Sequence, residues 1–215
     1  MISKKESKIA FVWGNGESRK KVDRMYNGFW EDLRMIGEFY GCNAIYRDYR
    51  MDHLVLVDPQ MLNEIAKDKS RYADRYPVWT GYRNPKQWGT KVKNIPKNHR
   101  WNAGTLATHL AVQHGNNEIY LVGHDLEPGA NGLTNNCYKS TNNYRKVFED
   151  DITYDRFFKD WIEMLHECNG KVTFYRVKPD SGFIPKDLKK GAMKHITWNA
   201  FVTKIKAHRK SLIFK

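Results

Sequence analysis

The sequence predicts an α/β fold in which a mostly parallel sheet is covered by helices on both faces. Short apolar runs rich in strand formers alternate along the chain with segments whose apolar residues recur every three or four positions. The clearest runs, Lys8 to Trp13 (KIAFVW) and Glu118 to Val122 (EIYLV), each stop at a glycine, Gly14 or Gly123. The first of them is apolar enough for a strand buried on both sides.

In chain order, the KIAFVW strand leads through a turn to Arg19–Ile36, where Val22, Met25, Tyr26, Phe29, Trp30, Leu33 and Ile36 mark one amphipathic helix. Phe39–Ile45 reads as a weaker strand. His53–Val57 reads as another, ended by Asp58-Pro59 because proline cannot continue a central strand. A short helix over Met61–Lys67 and a short strand over Tyr76–Thr80 follow. Residues 81–100 are polar, with Pro85 and Pro96, and read as a surface loop. Ala103–His114 is the clearest helix, with Gly115 placed to end it, and it feeds the EIYLV strand. Residues 127–153 lack periodicity and are rich in Gly, Asn and Tyr, as a long active-site loop would be. A helix over Asp155–Cys168, stopped by Asn169-Gly170, and a strand over Lys171–Val177 complete the alternation.

The 215 residues suit one core, so a single domain is expected, with 1–185 as its body and 186–215 as a basic C-terminal helical element. That element carries nine Lys or Arg against one acid, Asp187, so it holds +8 of the net charge of +13. Such concentration points to a phosphate-rich partner. Ile196, Trp198, Phe201, Val202 and Ile205 are placed to anchor a helix, leaving Lys194, Lys204, Lys206, Arg209 and Lys210 outward. No run approaches the ~18 apolar residues of a membrane span, and the first residues lack the apolar stretch of a signal peptide. Cys42, Cys137 and Cys168 show neither disulfide nor zinc spacing, so a reducing cytoplasm is expected and no metal ligands are assigned.

Five places suit ligand chemistry. Gly14-Asn15-Gly16-Glu17-Ser18-Arg19 lies between a strand and a helix, where glycines let the backbone approach a ligand and helix-start amides can hold phosphate. Asn43 and Asp58 end two further strands and belong on the same carboxyl edge, where open α/β sheets bind ligands. Either residue is equally suited to capping a helix. Asn102-Ala103-Gly104-Thr105 opens the clearest helix with small residues. His124 and Asp125 end the EIYLV strand and are the candidate catalytic groups, with Asp150 and Asp151 as alternative bases. In the long loop, Tyr138, Lys139, Tyr144 and Arg145 suit phosphate binding.

The fragments VWGNGESR, YGCNAIYRD, LVLVDP and NAGTLATHLAVQHGNNEIYLVGHDL occur in one order between Ile9 and Leu126. That order resembles the bacterial CMP-sialic-acid sialyltransferases, with their GNGPS turn, CN dipeptide and small-residue helix leading to a strand that ends in G-x-D. It is also similar to the related family of archaeal-type 6-hydroxymethyl-dihydropterin pyrophosphokinases, and to bacteriophage-encoded relatives. The resemblance implies a Rossmann-like three-layer fold with a nucleotide bound by Asn15, Gly16 and Asn43. It further implies that Asn102 to Thr105 approach the phosphate and that loop tyrosines hold its oxygens. The chain departs from the pattern at Glu17, where GNGPS has proline, and has no histidine between Leu126 and Tyr154.

The expectation is therefore a glycosyltransferase that uses a nucleotide-sugar donor, with DNA as a candidate acceptor through the basic C-terminus, for instance a hydroxymethylated base in a phage genome within the host cytoplasm. One alternative is an ATP-dependent pyrophosphokinase acting on a small hydroxymethyl compound, with Asp58 and Asp125 holding magnesium. The other is a non-catalytic nucleic-acid-binding protein using its charge and tryptophans such as Trp79, Trp88 and Trp101. Divalent-metal dependence is open between these readings.

Overall fold

The computed structural model describes residues 8–97, 99–129, 133–144, 154–168, 170–188 and 193–213. Eight strands form one sheet: β1 (Ile9–Trp13), β2 (Gly37–Cys42), β3 (His53–Val55), β4 (Val78–Thr80), β5 (Val92–Asn94), β6 (Glu118–Val122), β7 (Thr173–Val177) and β8 (Met193–Ile196). Their order is β5-β4-β3-β2-β1-β6-β7-β8, and every described pairing is parallel. All five residues of β1 are buried because it lies between β2 and β6 under helices on both sides.

The helices are α1 (Phe29–Ile36), α2 (Pro59–Ala66), α3 (Tyr72–Arg75), α4 (Ala103–Gln113), α5 (Tyr154–Cys168) and α6 (Trp198–Ile213). Alternate residues of β1 feed two cores. Phe11 and Trp13 pack with α1, α2, α3 and α6 on one face, while Ala10 and Val12 pack with α4 and α5 on the other. The result is a three-layer α/β/α fold. Strands β2 to β5 extend from one side of β1, and α4 then carries the chain back so that β6 to β8 extend from the other. A sheet wound this way has its switch point between β1 and β6, where a crevice opens outside the strand ends.

Several elements differ from the sequence reading. The helix expected over Arg19–Ile36 is divided into a 3-10 turn over Glu17–Arg24 and α1, because Gly28 takes a left-handed conformation at φ 90°. The polar stretch 81–100 contains β5, and the basic C-terminal segment contributes β8 before α6 begins. Phe201 and Ile205 of α6 are fully buried, with Ile196, Trp198 and Val202 packed around them. Gly115 ends α4 at φ 85°. Among the described residues, no helix is long and apolar enough to cross a membrane.

Candidate functional site

The turns after β1 and β6 meet back to back at the switch point. The Gly14 amide donates to the Val122 carbonyl and the Gly16 amide to the Gly123 carbonyl, each at 2.8 Å. Only glycines permit this approach: a Cβ on Gly14 would lie 2.4 Å from the Gly123 oxygen, and one on Gly16 would lie 2.5 Å from the Asp125 carboxylate. Above the two turns lies a cavity of about 210 Å3, whose wall includes Gly14, Asn15, Gly16, Asn43, Asn102, Ala103, Gly104, His124 and Asp125. The four segments that supply these residues are joined in the wall by Asn135 and Asn136 and by Phe157 and Trp161 of α5.

The start of α4 turns the positive end of its helix dipole to the cavity. Asn102 caps the helix, its Oδ1 accepting the Thr105 amide at 3.0 Å and its Nδ2 donating to the Thr105 hydroxyl at 2.8 Å. Asp160 of α5 fixes the cap by accepting the Asn102 amide at 2.7 Å and its Nδ2 at 2.8 Å. Ala103 and Gly104, in the first turn whose amides have no partner within the helix, line the cavity.

Asn15 is already committed to the protein. Its Nδ2 donates to the Cys42 carbonyl at 3.3 Å and the Tyr144 hydroxyl at 3.2 Å, and its Oδ1 accepts from Arg19. Asn43 sits at φ 52°, and its Oδ1 is buried without a hydrogen-bond partner among the described residues. His124 is in the same state at Nε2. Its ring stands edge-on to Trp161 at 5.4 Å, and burial together with the Arg176 guanidinium pushes its pKa down to about 3. Both residues line the cavity, and a buried polar atom without a partner is the exception in a folded protein.

Other expected residues lie around the cavity. Ser18 donates its amide to Asp125 at 3.0 Å, and Thr105 is buried behind the α4 cap. Arg19 is buried beneath the first turn, donating to the Tyr138 hydroxyl at 3.1 Å. Tyr138 also donates to Asp48, and the Tyr144 hydroxyl accepts the Ala44 amide at 3.1 Å. Burial raises the pKa of both tyrosines. Lys139 pairs with Glu17 at 2.7 Å. None of Arg19, Tyr138, Lys139 and Tyr144 forms part of the cavity wall. Asp58 is exposed at the start of α2, also outside that wall, and burial of its carboxyl from one side raises its pKa. Arg145, Asp150 and Asp151 lie outside the described residues.

Two residues that the sequence reading passed over organise the site. Asp160 fixes the α4 cap, as described. Arg176 of β7 is fully buried; its Nε donates to the His124 carbonyl at 2.6 Å and its Nη2 to the Asp125 carbonyl. A lone arginine inside the apolar run KVTFYRV is the signal that marks it.

A second hollow of about 560 Å3 adjoins the first, sharing Asp125, Glu127 and Asn135 and adding Lys20, Lys21 and Arg24. The two together reach the roughly 300–1,000 Å3 typical of ligand sites. A larger hollow of about 920 Å3 near Arg47 and Glu64 is elsewhere. Its Arg47–Glu64 pair is already closed at 2.6 Å.

Fold and crevice define a Rossmann-like α/β protein with an open cavity at its switch point. No protein-family model and no curated protein matches the sequence. Among solved structures, the chain is similar to the sialyltransferase CstII from Campylobacter jejuni, in complex with a substrate analogue, cytidine-5'-monophosphate, at TM-score 0.50 and 16% identity over 80% of this chain and 81% of that one. It is similar to the monofunctional α-2,3-sialyltransferase Cst-I of the same organism at TM-score 0.50 and 13% identity, over 98% of both chains. A glycosyltransferase from Magnetospirillum magneticum aligns at TM-score 0.52 and 9% identity, over 96% of this chain and 38% of that one.

Proposed function

We propose that this protein is a glycosyltransferase that takes a nucleotide-activated sugar and passes the sugar to a hydroxyl acceptor. The observation that carries the reading is the pair of buried, unpartnered atoms, Asn43 Oδ1 and His124 Nε2, in the cavity that also contains the Ala103 and Gly104 amides. Asn43 meets the polar edge of the base or ribose, and the α4 amides hold the phosphate. In transfer, those amides stabilise the negative charge that grows on the departing phosphate oxygen. The sialyltransferase that shares the fold was solved with cytidine monophosphate, which supports the same use of this crevice.

His124 contributes as a neutral hydrogen-bonding group, since a pKa near 3 leaves its imidazole too weak to take the acceptor's proton at neutral pH. Asp125 borders both hollows, which supports it as the group that takes the acceptor hydroxyl's proton as the sugar transfers. Arg19, Tyr138 and Tyr144 act behind the cavity by holding Asn15 and the β2 turn. The pyrophosphokinase reading needs Asp58 and Asp125 on one metal, and Asp58 borders neither hollow that contains Asp125. A DNA acceptor rests on the charge of α6 alone.

The test is a thermal-shift series with CMP, UDP, GDP and ATP, each with and without magnesium. A ligand that binds only the folded state raises its apparent stability. Stabilisation by a mono- or diphosphate nucleotide of the kind released from sugar donors is expected. Stabilisation by ATP with magnesium alone assigns the pyrophosphokinase instead, and no response to any nucleotide removes the enzyme reading.

A further inference from the structure

We infer that His99, His109 and Glu167 form a divalent metal site of the zinc type between α4, α5 and the segment that leads into α4, independent of the proposed transferase cavity. Nitrogen and oxygen atoms from the three side chains lie within 4.8 Å of one another. His109 Nε2 is 3.3 Å from Glu167 Oε1, and His99 Nε2 is 3.0 Å from Glu167 Oε2. Two imidazoles and one carboxylate at such spacing are a ligand set used by zinc, with a fourth position left for water.

The unsatisfied atoms around the cluster point the same way. His99 Nε2 is buried and, despite its closeness to Glu167, is in no hydrogen-bond geometry. Gln113 places its Nε2 3.4 Å from His109 Nδ1 while its own Oε1 is buried without a partner. Turning this amide over brings Oε1 to His109 Nδ1. The orphaned oxygen then accepts the Nδ1 proton, and the Nε2 lone pair is left facing the Glu167 carboxylate. Two lone-pair groups held this close repel unless a proton or a metal cation lies between them. A carbonyl oxygen on the far ring nitrogen is the usual support of a metal-bound histidine.

The ligands are also held in place. His109 is on α4 and 3% exposed. His99 stacks on Trp101 with ring centres 3.9 Å apart and planes within 10°. Trp101 in turn donates its indole N–H to Glu163 at 2.9 Å. Lys97 contacts Glu167 at 3.2 Å, but its side chain is 68% exposed and free to swing into solvent at little cost. A metal here would tie the segment just before Asn102 to both α4 and α5, and so steady the cap at the cavity mouth without touching the ligand.

The test is calorimetric titration of chelator-treated full-length protein with zinc chloride, with thermal shift and the visible absorption of cobalt(II) as parallel readouts. One zinc per chain and a higher melting temperature are expected. His99→Ala and Glu167→Gln, both away from the buried core, are expected to weaken zinc binding at least about tenfold while keeping the fold. No binding by the wild type, or equal binding by Glu167→Gln, overturns the proposal and leaves the cluster as a histidine–carboxylate ion pair.

Discussion

Ser18 and Asp125 lock the β1 turn to the β6 turn: the Ser18 amide donates to Asp125 Oδ2 at 3.0 Å and its hydroxyl donates to Oδ1. With the Gly14 and Gly16 amides bound to the opposite turn, this clamp sets the floor of the cavity. A buried carboxylate with two donors at one end still has oxygen lone pairs left for a ligand.

That clamp separates the structural role of Asp125 from its proposed chemical one. Ser18→Ala removes one hydrogen bond and is expected to cost about 0.5–1.5 kcal/mol in urea denaturation, with turnover retained. Asp125→Asn turns an amide N–H2 toward a donor and is expected to cost about 1–3 kcal/mol. Turnover should fall at least about tenfold, or ~1.4 kcal/mol of transition-state stabilisation. Equal turnover in both variants would reduce Asp125 to the clamp alone.

Asn43 and Asn15 should part company in the same assays. Asn43→Gly removes an orphaned acceptor and suits the left-handed backbone at φ 52°, so the fold is expected to hold its stability to within about 1 kcal/mol. Nucleotide affinity by calorimetry should nevertheless drop about tenfold. Asn15→Ala breaks bonds to Cys42, Tyr144 and Arg19, and is expected to lower stability as well as affinity. Wild-type affinity in Asn43→Gly would exclude Asn43 from the ligand site.

Acid should weaken the fold well above the usual carboxylate range. Burial, with His114 nearby, pushes the His53 pKa down to about 4, and its Nδ1 accepts the Trp79 indole N–H at 3.2 Å. His124 is pushed further, to about 3. Unfolded histidines take their proton near pH 6.5, so below that pH the unfolded chain binds more protons than the fold. Their contribution is complete above about pH 6.5 and declines as pH falls toward 4 and 3. Urea midpoints measured from pH 7 to 4.5 should fall steadily, and less steeply in His53→Asn, whose Oδ1 can still accept from Trp79. Parallel profiles for the two proteins would remove His53 from this account.

The glycine turns and the strands they end were legible in the sequence because β1 and β6 are apolar nearly throughout and stop abruptly. The convergence of Asn15, Asn43, Asn102 and Asp125 followed from placing each at a strand end or helix start. What stayed hidden was held by backbone or by distance. In β5 only Val92 is buried, so Lys93 and Asn94 read as loop although their backbone pairs with β4. The break at Gly28 left the apolar spacing of the divided helix intact. Asp160 occupies one polar position in an ordinary amphipathic pattern, and His99, His109 and Glu167 meet only where the segment before α4 packs with α4 and α5.

The basic C-terminus gives a last separation, between charge and catalysis. α6 runs from the carboxyl end of β8 back along the sheet, and His208 contacts Glu118, the first residue of β6, at 3.2 Å. Arg209 and Lys210 therefore lie toward the sheet edge opposite the cavity. Arg209 is also paired with Asp32 at 3.1 Å, and Lys204 covers the Tyr175 ring at 4.4 Å, so fewer charges are free than the sequence count implies. Replacing Lys204, Lys206, Arg209 and Lys210 by Gln is expected to weaken binding of duplex DNA and to flatten its dependence on salt by roughly two to four units of log–log slope, since each lost phosphate contact releases about one counterion fewer. Loss of the Arg209–Asp32 pair is expected to lower the melting temperature itself, but nucleotide affinity and the rise in melting temperature on adding nucleotide should stay at wild-type values, because none of the four residues borders the cavity. Filter binding at several salt concentrations measures the slope. An unchanged slope would show that α6 is not a polyanion surface and would withdraw the only support for a DNA acceptor, whereas a loss of nucleotide affinity in this variant would place the donor site nearer α6 than the switch-point crevice allows.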